Sequence, residues 1–494
     1  MPQDREIHGL PPALKRDGWW LDADTPPRPH PTASRKRHLS ALVLLILLAD
    51  VLFWGQSAGL SLALFAVATV AATLAAPPRP LAVLVVIAAV LPVADHVQPL
   101  SLAILILGTA ASIAMTRLTA VTLPATLMST LALIGTIPWR AARDLRDLAP
   151  TLAPGPALRR FGRAWAFPLG GALILVSLLT EANPILDGWL SGLADFPFDP
   201  GLWLRRALFW TGMAVVIWPL LVADPDPQRS PALPALSLPG PPLRGLGLNA
   251  TSVGHALVAF NLILSLQTSL DARYLWTGAP PPPGMTLAEY AHRGAYPLLA
   301  TALLAGAFAL AARPWLAERK WLKPLLILWL GQNILLTLSA LYRLDLYVQS
   351  FGLTYLRVHA FIWMGLVAAG LALTLIQIAA AKPNLWLLIR CAAMATVTLY
   401  LCAFVNFAAL IVRVNVAEDK IDLRYLCDLG PTAAASIPKG LTGNQIPGGY
   451  DLDSRACTFT RPQIHGWRDW GFRNWLVLHN LAAQEGVHED PRRR

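Results

Sequence analysis

The stretch Leu39–Trp54, LSALVLLILLADVLFW, carries a single charge, Asp50, in an otherwise apolar run. An α-helix rises 1.5 Å per residue, so about twenty mostly apolar residues cross a hydrocarbon core of roughly 30 Å. Runs of the same kind follow at Leu60–Ala76, Leu81–Val97, Leu100–Thr116, Thr119–Pro138, Trp165–Thr180 and Leu202–Ala223. After a Pro-rich break they resume at Thr251–Leu270, Tyr296–Ala312, Trp321–Tyr342, Val358–Ala381 and Leu385–Val412. The repetition predicts an all-α, polytopic transmembrane helical bundle of about 11–12 spans.

Composition agrees. Of 494 residues, 55% are hydrophobic and only 14% charged, and the mean hydropathy is +0.50. That is too little charge to clothe a soluble globule of this size, so lipid must cover the remainder. The net charge of +11 is spread over the ends of the apolar runs, where basic residues set topology; it forms no stripe suited to nucleic acid. The expected partner is the lipid bilayer.

Loop charges orient the chain. Arg140, Arg143, Arg146, Arg159, Arg160 and Arg163 fall between Trp139 and Trp165, whereas the next loop has Glu181, Asp187, Asp195 and Asp199 and no base. The first loop is expected inside and the second outside. A basic Arg35-Lys36-Arg37 before the first run also reads as inside, which conflicts with five spans before the arginine-rich loop. Leaving Leu81–Val97 or Thr119–Pro138 re-entrant or interfacial removes the conflict. The organisation expected is a cytoplasmic tail (1–38), a first transmembrane lobe (39–223), a Pro-rich linker (224–250), a second lobe (251–413) and a small extracytoplasmic C-terminal tail (414–494). In the tail, Ile464 to Ala483 reads as an aromatic-rich interfacial helix or as part of a small packed domain, and Gly430 to Gly449 as a loop. Cys427 and Cys457, placed in an oxidising compartment, can form a disulfide; Cys391 and Cys402 read as packing residues of the last span.

No complete catalytic, nucleotide-binding or metal signature occurs, so no cofactor or metal is expected and catalytic residues stay unassigned. The densest polar groups are Asp271, Arg273 and Tyr274 with Glu289, Tyr290 and Arg293, and then Arg343, Asp345, Arg357 and His359. Thr286 and Glu289 have the spacing of a capping box, and Glu289 and Arg293 share a helix face. On the topology above both groups lie at the outer membrane face and are expected to converge in one polar site. Loop-to-loop salt bridges are the plainer alternative. Inside the spans Asp50, His255, Asn261, Gln267, Gln332, Asn333, Gln377, Arg390 and Asn406 outline either a polar pathway or interhelical hydrogen bonds.

The segments Tyr274-Leu275-Trp276-Thr277-Gly278 and Gly284-Met285-Thr286-Leu287-Ala288-Glu289-Tyr290-Ala291-His292-Arg293-Gly294 resemble a family of bacterial polytopic membrane proteins catalogued as a domain of unknown function, label 4153 or 4173. Supporting matches are Glu181-Ala182-Asn183-Pro184, Leu353 to His359, Phe404-Val405-Asn406-Phe407, Ile421 to Leu426 and Trp467-Arg468-Asp469-Trp470. The resemblance implies a bacterial inner-membrane protein and no particular activity. Three functions are expected to compete: transport or handling of a lipid or envelope component at an outer-face polar site, a membrane-embedded transferase acting on lipid-linked or envelope substrates, and a non-catalytic scaffold or signalling partner.

Overall fold

The computed structural model describes residues 31–73, 79–118, 121–152, 200–222, 249–277, 287–438 and 461–486, with scattered residues from 164 to 179; of 31–36, 144–152, 287–299, 423 and 485–486 only the backbone is described. The described residues are helical or irregular, with no strand among them. In chain order the helices are α1 (Pro31–Phe53), α2 (Leu60–Thr73), α3 (Pro80–Asp95), α4 (Pro99–Arg117), α5 (Leu123–Leu152) and α6 (Pro200–Val222), then α7 (Ala250–Asp271), α8 (Leu287–Ala312), α9 (Leu322–Phe351), α10 (Tyr355–Ala379), α11 (Asn384–Phe404), α12 (Phe407–Ala417), α13 (Leu423–Asp428) and α14 (Phe472–Gly486). A π-helical turn, Ala272–Trp276, prolongs α7, and a 3-10 turn, Arg313–Ala317, follows α8.

Seven of these are long and apolar enough to cross a membrane: α4, α6, α7 with its π turn, α8, α9, α10 and α11. Three shorter apolar helices, α2, α3 and α12, accompany them. The chain is a multi-pass membrane protein built as a helical bundle.

The chain divides into two compact units, one of residues 1–56, 65–83 and 109–230 and the other of 57–64, 84–108 and 231–494. In the first unit α1 packs on α6 and α6 on α5. Leu45, Ile217 and Leu221 are buried there, with Phe65 and Ala68 against them. Asp50 ties α1 to α6, accepting from Arg206 Nε at 2.8 Å and Trp210 Nε1 at 2.9 Å. The Arg206 guanidinium also lies 5.7 Å from the Trp54 and Trp210 ring centres and 5.9 Å from that of Trp203. Three rings and a carboxylate satisfy this cation, so Asp50 acts as a packing anchor. Arg117 donates to the Leu220 and Leu221 carbonyls, occupying acceptors that the end of α6 leaves open.

In the second unit α9 is central, packed by α7, α8 and α10. Ala302, Ala305, Ala309 and Ala312 of α8 are all buried. Their spacing gives α8 a smooth face, and small residues let helix backbones approach in lipid, where dispersion rather than water exclusion drives packing. Leu257, Leu322, Leu326 and Leu330 fill the same core. Gly254 serves the same end: a Cβ there would stand 2.2 Å from the Trp321 ring.

Several expected boundaries move: α1 starts eight residues before Leu39, α8 starts nine before Tyr296, and α9 runs nine past Tyr342, so Arg343 and Asp345 are helical and not in a loop. The run Leu385–Val412 is two helices, because Val405 is extended and Asn406 caps α12 by accepting from Ala409 N at 3.1 Å. The arginine-rich stretch after Trp139 continues α5 as helix to Leu152. The tail helix starts at Phe472, eight residues later than Ile464, because the Asp469 carboxylate accepts from the His465 and Gly466 N–H groups (each 2.8 Å) and folds Gly466–Asp469 into a bend.

Candidate functional site

Lipid offers a backbone or side-chain polar group no partner, so each one inside the bundle must be accounted for. The second unit concentrates such groups between α7 and α9. Asn261 Nδ2 donates to Leu257 O (2.7 Å) and across to Leu325 O (3.1 Å). Gln332 Nε2 donates to Ser265 Oγ at 2.8 Å. Asp271 forms an ion pair with Arg343, both side chains buried, and accepts a second bond from Gln267 Nε2 at 2.9 Å. These contacts climb both helices in the same order, so α7 and α9 run parallel along a polar seam. Trp276, in the π turn, reaches back to Ser339 Oγ at 3.3 Å. π-helical turns recur at functional sites because they displace one residue's worth of backbone from the helical ladder.

The seam has spare hydrogen-bonding capacity, most of it on amide oxygens, with the buried Trp329 indole N–H of α9 as a spare donor. Asn261 Oδ1, Gln332 Oε1, Asn333 Oδ1 and Thr268 Oγ1 find no partner among the described residues, although Asn261, Gln332 and Asn333 are buried. A buried carbonyl oxygen without a donor costs on the order of 1–3 kcal/mol and calls for water or a ligand. The seam is also open along its side: Ser265 and Ser269 are exposed, and Gln267 and Thr268 half-buried.

The remaining polar residues of the unit lock helix ends. Arg357 donates to the carbonyls of Phe351 (2.8 Å) and Gly352, and its guanidinium lies 4.5 Å from the Tyr347 ring centre. It thus covers the open acceptors at the end of α9. Gly352, at φ +75°, makes the turn, with Asn415 Oδ1 3.0 Å from where a Cβ would stand. Asn415 brackets the Leu353 backbone, accepting from its N–H and donating to its carbonyl at 3.0 Å. Tyr425 Oη accepts from Tyr355 N at 2.9 Å.

A second lock joins distant parts of the chain. Arg473 donates to Asp95 from Nε at 3.1 Å, to Ala403 O at 2.9 Å and to Val405 O at 3.3 Å, so one guanidinium pairs with the end of α3 and covers the end of α11. Gln98 Nε2 shares Ala403 O at 2.9 Å. The carbonyls of Trp470 and Arg468 accept from Leu60 N (2.9 Å) and Ser61 N (3.1 Å), satisfying first-turn donors of α2. Gly59 permits this approach, since a Cβ there would fall 2.6 Å from the Asp469 Cα. Burial, and next the Arg473 charge, hold the His96 imidazole below its ordinary pKa, with Asp95 and a bond to Asn474 opposing them. At Asp469 burial pulls the other way and is outweighed by the His465 and Gly466 N–H bonds, so its carboxyl lies below its usual range.

The sequence profile of a family described as a domain of unknown function, DUF4153, matches residues 42–440. The chain belongs to this family. No curated protein and no solved structure matches it. Of the two family labels that the motifs resemble, 4153 is the one that applies. In this DUF4153 member many of the polar motif residues are helix-end devices: Thr354 caps α10, Asn406 caps α12 and Asp422 caps α13.

Of the residues singled out from sequence, the fold brings together Asp271 and Arg343. Arg273 is exposed and stacks on Tyr274, with 5.7 Å from its guanidinium to the ring centre. Asp345 accepts from Gln349 Nε2 at 2.8 Å. Arg357 is occupied by backbone carbonyls, and His359 lies at the surface 6.3 Å from the Tyr355 ring. Glu289, Tyr290 and Arg293 lie on α8, their side chains outside the described residues. Cys427 is disulfide-bonded, Cys391 and Cys402 are free, and Cys457 lies outside the described residues. Sequence reasoning missed Asp95, His96, Gln98, Asn415 and Arg473. Asp95 had a signal, a carboxylate closing an apolar run, but its partner is 378 residues away.

Proposed function

We propose that this DUF4153 member handles an amphipathic, lipid-like molecule, passing its polar part along the α7–α9 seam while its apolar part stays in the bilayer. The observation that carries the reading is a buried Asp271–Arg343 pair at the end of a seam whose spare groups are mostly amide-oxygen acceptors and whose side is open at Ser265. Ionisable groups are costly in hydrocarbon, and those retained there ordinarily serve a substrate or ion path. The open side favours a lipid over a wholly water-soluble solute, because the acyl portion need never leave the membrane.

The test is lipid movement in vesicles. Purified protein reconstituted with a headgroup-labelled fluorescent phospholipid should expose inner-leaflet label to an aqueous reductant faster than protein-free vesicles do. Asp271→Asn strands a buried cation, so the charge-free pair Asp271→Asn/Arg343→Gln is measured beside it; both should fall at least tenfold, the pair with normal folded yield. Wild-type protein that moves no labelled lipid overturns the reading.

We further propose residence in a bacterial inner membrane, with the N-terminus cytoplasmic and the tail extracytoplasmic. The arginines after Trp139 and the disulfide at Cys427 support this orientation, since such bonds persist in oxidising compartments. Cysteine placed at residue 190, in a background lacking Cys391 and Cys402, should react with an impermeant thiol reagent added to whole cells. Reaction at residue 150 with none at 190 reverses the orientation.

A further inference from the structure

α14 is too short to span a bilayer, and it presents two unlike faces. One face is bolted to the bundle: Arg473 and Val477 are buried, and Gln484 Nε2 donates to Ala435 O at 3.1 Å. The other carries Phe472, Trp475, Leu476 and His479, which at 100° per residue share an arc of about 100°. Phe472, Trp475 and Leu476 are 47%, 43% and 40% exposed. The rings form a continuous surface, 5.9 Å between the Phe472 and Trp475 centres and 5.4 Å between Trp475 and His479, the latter pair 13° from parallel. Trp467, in the bend before the helix, is 54% exposed with the Arg468 guanidinium 5.3 Å from its ring centre.

The occupant of this stripe follows from where the opposite face is fastened. Arg473 binds carbonyls at the end of α11 and the carboxylate closing α3, and Gln98, just before α4, shares Ala403 O. α4 and α11 are both membrane-crossing helices by length and composition, so their joined ends mark the bilayer boundary. A helix fixed there lies at headgroup depth, where Trp and Phe are favoured and where arginine meets phosphate. We propose that the Phe472–Trp475–Leu476–His479 stripe of α14 is a lipid-binding surface seated in the interfacial layer of the same bilayer the bundle crosses. The tail helix then acts as a lateral float, bound to the bundle on one side and to lipid on the other.

The test uses the full chain with Cys391 and Cys402 replaced by Ala, carrying Leu476→Cys or Asn480→Cys labelled with an environment-sensitive fluorophore, in vesicles of phosphatidylcholine and phosphatidylglycerol. At position 476 emission should shift to the blue, be quenched severalfold more by lipids spin-labelled high on the acyl chain than by iodide, and show no cross-linking between copies. Label at 480, on the flank of the stripe, should respond more to iodide. Equal iodide quenching at both positions overturns the proposal. Efficient cross-linking through position 476 also overturns it, since a second copy would then be the occupant.

Discussion

Two arginines of the second unit, Arg343 in α9 and Arg357 in the first turn of α10, serve opposite purposes. Arg343 is buried against a carboxylate, whereas Arg357 spends its donors on the carbonyls of Phe351 and Gly352 and its flat face on Tyr347. A lysine keeps the charge of Arg357 but has no planar fork to span two acceptors. Arg357→Lys should therefore cost about 1–2 kcal/mol of stability, read as a lowered thermal midpoint in detergent, while lipid movement per folded molecule stays at the wild-type level. A normal midpoint with lost lipid movement would reassign Arg357 to substrate. In sequence both arginines sit beside tyrosines, Arg343 by Tyr342 and Tyr347 and Arg357 by Tyr355, and Asp345 lies close to Arg343 alone. Only the turn geometry at Gly352, a positive φ that no pattern of charges announces, separates a helix cap from a buried ion pair.

At the scale of elements, what was legible is what lipid dictates. The length of a crossing helix is fixed by the hydrocarbon thickness, so apolar runs such as Trp321–Tyr342 and Val358–Ala381 announce α9 and α10 with little ambiguity. Ends are another matter. Asn406 sits between two apolar halves, and one polar residue in such a run reads equally as an interhelical contact or as a cap; the fold uses it as a cap, with Nδ2 donating to Thr432 O at 2.9 Å. The residues after Val412 look polar in sequence, yet Leu426, Ala433 and Ile437 are buried with Ile411 and Val412 in one small core. Short helices bury few residues each, so their periodicity is too brief to stand out.

For the whole molecule, the docking of the tail should respond to acid. The folded state holds His96 below its ordinary pKa, first through burial and then through Arg473, against the opposing pull of Asp95 and Asn474. A released tail lets His96 take up a proton near its usual pKa of about 6.5, so docking is at full strength above that value and weakens as pH falls through the window below it. Hydrogen-exchange protection factors of α14 amides, corrected for intrinsic rates, should drop between neutral pH and about pH 5, and His96→Asn should flatten the change. Equal protection across that range would mean that His96 does not titrate with docking. Asp469 contributes only at lower pH, where its depressed carboxyl finally protonates.

The clasp between Arg473 and Asp95 also imposes an order in time. Arg473 follows Asp95 by 378 residues, and at roughly 5–20 residues per second it emerges some 20–75 s after its partner. During that interval the α3 carboxylate and the first-turn donors of α2 wait without the groups that finally cover them. A ribosome that stops short of residue 473 leaves a bundle whose apolar helices are all present but whose boundary is unsealed. An interrupted product therefore lacks both the cation that pairs with Asp95 and the carbonyls that cover the first turn of α2.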